Sequence, residues 1–174
     1  ENNLLIRRRP RAPPFSCYTF TMQNTLTFVT SNKGKAREAQ EILEFPLQIH
    51  ALDLIEIQSM KLEEIVEHKM KQAYDILKKP LIVDDVGFYV DTWGGFPGPF
   101  IKYMTPGGTN DLLLQMLTHE KNRKVSLMSG IGYTDGSESR VFIGEVRGEI
   151  TSGPRGEGGW GFDRLYDRLF VRPW

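Results

Sequence analysis

Between residues 25 and 150 the spacing of apolar and polar positions changes repeatedly, and each change marks an element. Thr25–Thr30 (TLTFVT) is rich in β-formers and reads as a buried strand. Ser31, Asn32 and Gly34 break it. Lys35–Leu43 then sets Ala36, Ala39, Ile42 and Leu43 at helical spacing with charges between them, and Pro46 lies beyond its end. Leu47–Leu52 predicts a second strand. Leu62–Leu77 carries Leu62, Ile65, Val66, Met70, Ala73, Ile76 and Leu77, the stripe of an amphipathic helix, with Pro80 as the stop. Leu81, Ile82 and Val83 form a short buried strand that runs into Asp84 and Asp85.

Beyond that strand, Gly94–Gly98 is a tight loop rich in Gly and Pro. Asp111–Leu117 predicts a helix behind the Gly107-Gly108 turn, with Thr109 or Asn110 as its cap. Lys124–Tyr133 and Arg140–Ile150 form a strand pair joined by the Asp135-Gly136 turn, and a loop over Gly153–Gly161 follows. The order β-α-β-α-β and then a strand pair predicts an α/β fold with a mixed sheet. There is no internal repeat.

Composition narrows the class. The 174 residues suit one domain with a real core, and no apolar run is long enough to span a bilayer as a helix. Lys plus Arg equals Asp plus Glu at 22 each, which argues against general electrostatic binding to nucleic acid or an anionic membrane surface. A local basic cluster for one small anion remains compatible with that balance. The lone Cys17 allows no internal disulfide and suits a reducing compartment such as the cytoplasm. His50, His68 and His119 lack zinc-ligand spacing.

The ends differ from the middle. Residues 1–22 cluster Arg and Pro without a helix or strand period, and we expect them to be a disordered extension before a natural start at Met22. The folded unit is expected over 23–166, followed by an atypical end at 167–174.

Four places could carry chemistry. At the strand-to-helix junction Thr30-Ser31-Asn32-Lys33-Gly34-Lys35, a helix N-terminus offers unpaired N–H groups and partial positive charge. Two hydroxyls, an amide and two ammonium groups surround it, and Gly34 lets backbone come close, so the run suits a phosphate chain. A loop with solvated lysines is the plain alternative, and the spacing is neither a Walker A loop nor a dinucleotide fingerprint. Asp84-Asp85 puts two acids at the end of an apolar strand, where they repel unless a cation separates them. Glu56, Glu63 and Glu64 lie upstream, and carboxylates with water and phosphate oxygens make the shell magnesium prefers. Lys69 and Lys102 could add charge toward a polyphosphate. Finally, Trp160-Gly161-Phe162-Asp163 sets two aromatics and an acid together, and a ring stacked on a base is worth about 1–3 kcal/mol.

The pieces TSNKGKAREAQ, IEIQSMKLEEIVEHK, PLIVDDVGFYVDTWGGFPGPFIKY and PRGEGGWGFD occur in that order, and the chain from about Thr25 to Tyr166 resembles the inosine triphosphate pyrophosphatases, the Ham1 family. The resemblance implies an elongated mixed sheet flanked by helices, two lobes with a central cleft, and a homodimer. It implies hydrolysis of ITP, dITP and XTP to the monophosphate and pyrophosphate, with magnesium, or manganese in its place. Carried over by motif, Thr30 to Lys35, Lys69 and Lys102 would hold the triphosphate and Trp160 to Asp163 the base. Asp85 and Asp84 would be catalytic, Asp85 acting on the attacking water, and Glu56, Asp85 and Glu64 would be linked to the metal.

Two departures stand out against that family. Val86 follows the Asp pair where the family usually has Ser, and the family's Ser-His-Arg base contact is not found after the GFD element. The second suggests an alternative in which the chain binds nucleotide and dimerises but is catalytically impaired.

Overall fold

In the computed structural model, residues 25–43, 45–105, 110–154 and 165–168 are described. The extension at 1–22, the Trp160–Asp163 element and the end at 169–174 lie outside these residues. The sheet begins with β1 (Leu26–Val29), leads through α1 (Lys33–Ile42) to β2 (Leu47–His50), and through α2 (Leu62–Leu77) to β3 (Leu81–Val90). Strands β2 and β3 both pair with β1 in parallel, on opposite sides of it. The crossover from β1 to β2 therefore runs one way across the sheet and that from β2 to β3 the other. Because such crossovers are right-handed, α1 and α2 fall on opposite faces.

A 3-10 turn at Asp91–Trp93 follows, then β4 (Pro97–Gly98), α3 (Ile101–Met104), α4 (Asp111–Met116), β5 (Lys124–Thr134), β6 (Ser139–Ile150) and β7 (Tyr166–Arg168). The strand order is β2-β1-β3-β5-β6-β7, with β4 attached to β3. The mixed α/β sheet expected from the hydrophobic pattern is present, and Leu62–Leu77 is helical from end to end. Asn110 stands at the N-cap of α4.

The third strand is much longer than the expected Leu81–Val83. All ten of its residues pair with β5, from Leu81 opposite Thr134 to Val90 opposite Val125. A partner distant in sequence thus carries the strand through two acids and a glycine, which local propensity disfavours. On its other edge the pairing is interrupted: β1 covers residues 81–83 and β4 covers Phe88 and Tyr89. Among the described residues no strand lies beside residues 84–87 on that edge, and the sheet is split there. In the loop before β4, Gly94 and Gly95 take φ of +62° and +90°, values that favour glycine and let the chain turn back onto β3.

The split separates two cores. Leu81 and Val83 pack with Val29 and with Leu62, Val66, Met70 and Ala73 of α2. Phe88 and Val90 point to the opposite face and pack with Ile101 and Met104 of α3, Leu113, Leu117, Val125, Ile150 and Leu165. Helix α2 lies close to β5 because Gly130 and Gly132 have no side chains there. A Cβ on Gly132 would come within 2.9 Å of a Val66 methyl and 3.2 Å of Met70 sulfur. That seating brings the polar residues of α2 up to the split.

Candidate active site

Between the two cores lies a cleft of about 590 Å³, lined by the C-terminal end of β1, the start of α1, Leu52 to Leu54 with Glu56, Lys69 of α2, the middle of β3 and the segment from Pro99 to Thr105. The alternation of β3 aims Asp84 and Asp85 at opposite faces, so the expected repulsion between neighbours is met differently from a shared cation. Each acid has its own lysine, delivered by the helix on its face. Lys35 of α1 pairs with Asp84 at 2.8 Å, and Lys69 of α2 pairs with Asp85 at 3.2 Å. All four side chains are mostly withdrawn from solvent, and the sheet split lets both pairs border one cleft.

Lys69 is fully committed. Its ammonium donates to Asp85 Oδ2 at 3.2 Å, to Glu56 Oε1 at 3.2 Å and to the Asp84 carbonyl at 3.1 Å, which uses all three of its hydrogens. The other oxygen of Glu56 accepts from Lys102, so Glu56 bridges the two lysines. The Val86 N–H donates to Asp85 Oδ1 at 2.8 Å and fixes that carboxylate's orientation. Burial alone would raise the Glu56 pKa, but the Lys102 hydrogen bond and the Lys69 charge outweigh it and hold the group below the usual glutamate range. Burial likewise pulls Lys69 down, and the Asp85 and Glu56 charges more than reverse it. The Lys102 pKa is raised, chiefly by its bond to Glu56. Opposed charges therefore face each other across the cleft at neutral pH.

At the junction before α1, the sequence folds as a helix cap. Asn32 Oδ1 accepts from the Gly34 N–H at 2.9 Å and the Lys35 N–H at 3.2 Å, while Thr30 Oγ1 accepts from the Asn32 N–H at 3.2 Å. Two of the helix's free donors are thus already satisfied. What the junction offers an anion is the Ser31 hydroxyl, the Asn32 amide hydrogens and Lys35. Gly34 sits in the first turn of α1 with its N–H bound to Asn32, rather than in a loop opened for close approach.

Of the residues singled out from sequence, Thr30, Ser31, Asn32, Lys35, Glu56, Lys69, Asp84, Asp85 and Lys102 line the one cleft, as does Val86. Lys33 and Gly34 do not line it. Neither does Glu64, which accepts from Ser59 at 2.7 Å and Lys61 at 2.9 Å at the start of α2. Trp160, Gly161, Phe162 and Asp163 are outside the described residues. Sequence reasoning passed over Asp53 and Tyr103, which also line the cleft. Asp53 lies between two leucines in a stretch with no period, and Tyr103 had only its place beside Lys102 to mark it.

The arrangement suits a divalent cation as well as a phosphate chain. Glu56 and Asp85 converge on a single positive group, Lys69, each at 3.2 Å. Among the described residues no three His, Cys, Asp or Glu side chains gather tightly enough to hold a metal by themselves. Two carboxylates with substrate oxygens and water completing the shell is the mode magnesium favours.

Residues 26–172 match the model of the Ham1 family. A dITP/XTP pyrophosphatase of Thermococcus kodakarensis is 40% identical over 155 residues, covering 84% of this chain and 83% of that protein. One of Methanopyrus kandleri is 38% identical over 143 residues, 80% of this chain and 76% of that protein. Among solved structures, the Ham1 protein of Staphylococcus aureus superposes with a TM-score of 0.63 at 26% identity, over 80% of each chain. The HAM1 protein of Coxiella burnetii shares the fold, with a TM-score of 0.68 at 22% identity, over 82% of this chain and 81% of that one.

Proposed function

This chain belongs to the Ham1 family, and on that premise we propose that it hydrolyses dITP, ITP and XTP to the monophosphate and pyrophosphate, clearing them from the nucleotide pool. The observation that carries the reading is the convergence of Lys35, Lys69 and Lys102 with Asp84, Asp85 and Glu56 at the break in the sheet.

A triphosphate entering the cleft offers oxygens that can replace carboxylates as partners of the lysines. Lys102 is the most exposed of the three, its side chain 53% accessible, and is the easiest to redirect. Lys35 and the Ser31 hydroxyl stand at the start of α1, where the helix dipole favours negative charge. Asp85, held by the Val86 N–H and Lys69, orients a water and takes its proton as the oxygen bonds to the α-phosphorus. The bond from that phosphorus to the bridging oxygen breaks, and pyrophosphate leaves with the bridging oxygen. Charge building on it is met by the ammonium groups of Lys69 and Lys102. Glu56 and Asp85 would hold magnesium, or manganese in its place, which when bound neutralises phosphate charge and stabilises the leaving group. The base falls to residues 160–163 in this reading. A homodimer fits the exposed cross-strand pair Ile131 and Phe142, 40% and 54% accessible, and we place the enzyme in the cytoplasm with its substrates.

The test is a parallel assay of ITP, XTP, GTP, dTTP and a phosphomonoester with magnesium, measuring pyrophosphate and orthophosphate separately. Pyrophosphate from ITP and XTP, with little from GTP or dTTP, is the expected result. Tight binding of ITP without turnover would instead identify an impaired nucleotide binder, and orthophosphate from the monoester would identify a different hydrolase.

A further inference from the structure

Glu56 lies in residues 51–61, a stretch with no helix or strand, yet it must meet two lysines at once. Leu52 and Leu54 pack against the α2 core and secure the earlier part of the stretch. Ile55 does not help in that way, because it is 70% exposed. Its backbone is held by Gln72 of α2. The Ile55 N–H donates to Gln72 Oε1 at 3.0 Å, and Gln72 Nε2 donates to the Ile55 carbonyl at 2.9 Å. This two-point contact imitates a rung of a sheet and fixes the peptide immediately before Glu56.

The amide itself is oriented from behind. Gln72 Nε2 lies 3.0 Å from His68 Nδ1, one turn back on the helix. With Oε1 accepting from the Ile55 N–H and one Nε2 hydrogen donated to the Ile55 carbonyl, the second Nε2 hydrogen points to His68. Lys69 and Gln72 are three residues apart on α2 and so share a face. One grips the Glu56 carboxylate and the other the backbone one residue earlier.

We propose that Gln72 is a positioning residue for hydrolysis, holding Glu56 between Lys69 and Lys102 through the Ile55 backbone. The proposal rests on the reading of Glu56 as part of the machinery. A double-mutant cycle on the full chain tests it, with Gln72→Ala, Glu56→Ala and the pair, and with exposed Lys71→Ala as the control. The readouts are kcat/KM for dITP, the magnesium concentration for half-maximal rate, and hydrogen exchange at the Ile55 amide.

Gln72→Ala should lower kcat/KM about tenfold, within the range of coupling between residues in one network. It should raise the magnesium requirement, speed exchange at Ile55, and cause no further loss when Glu56 is already Ala. Lys71→Ala should change none of these. A crippled Glu56→Ala beside an unaffected Gln72→Ala would overturn the clamp alone, as would an equal loss from Gln72→Ala in both backgrounds. A fully active Glu56→Ala would overturn the role of Glu56 and the clamp with it.

Discussion

Asp84 and Asp85 are neighbours in sequence but point to opposite faces of β3, where Lys35 of α1 meets the first at 2.8 Å and Lys69 of α2 meets the second at 3.2 Å. The cause is topological. Strands β2 and β3 flank β1, so two right-handed crossovers place their helices on opposite faces, each with a lysine aimed at the split.

In the proposed mechanism Asp85 activates the attacking water. Asp85→Asn keeps the shape and the hydrogen bond from the Val86 N–H but loses the base. Pyrophosphate release should fall by about 10²–10⁴, the usual contribution of a positioned acid or base. Far-ultraviolet circular dichroism should stay that of the wild type. A variant with substantial activity would remove Asp85 from that role.

Lys35→Met takes the partner from a carboxylate that is only 14% exposed. Breaking a buried pair leaves an uncompensated charge, and at this partial burial the loss should be about 1–3 kcal/mol in urea unfolding. Adding Asp84→Asn should recover part of it. The single variant should also raise KM for XTP. Unchanged stability would mean that solvent, rather than Lys35, compensates Asp84.

Gly132 allows α2 its close approach to β5. In Gly132→Ala the new methyl meets Val66, Met70 and Val83 within 2.9–3.2 Å, so helix or sheet must shift. Overpacking of this kind costs about 1–3 kcal/mol and should lower the urea midpoint. Because α2 carries Lys69, activity should fall as well. A midpoint equal to the wild type would show that the helix moves freely over the glycines.

Acid should weaken the fold through Glu56. Its folded pKa is depressed, since Lys102 and Lys69 outweigh the opposing effect of burial. A depressed carboxylate contributes stability above its unfolded pKa, about 4.3, and loses it as pH falls through the lower folded value. The wild type should therefore lose stability below about pH 4 more steeply than Glu56→Gln, measured by urea unfolding from pH 7 to 3. Parallel slopes for the two proteins would contradict the assignment.

The parts of this molecule set by near neighbours could be read from the chain. The junction from Thr30 to Lys35 announces a helix start at an anion-friendly end, and Asn32 does cap α1. The apolar stripe of α2 is likewise complete in sequence. The length of β3 was hidden because Asp84, Asp85 and Gly87 are poor strand formers, and their pairing comes from residues 128–131. The bridge at Glu56 joins side chains 13 and 46 residues apart, and nothing local to Glu56 announces it. Gln72 was invisible for the same reason, since its target is backbone, which leaves no signature in residue type.

Hydrolysis of XTP in ¹⁸O-water, with mass analysis of both products, tests most directly the claim that this cleft directs water at the α-phosphorus. One labelled oxygen is expected in the monophosphate and none in the pyrophosphate. Label in pyrophosphate, or release of orthophosphate in place of pyrophosphate, would contradict it.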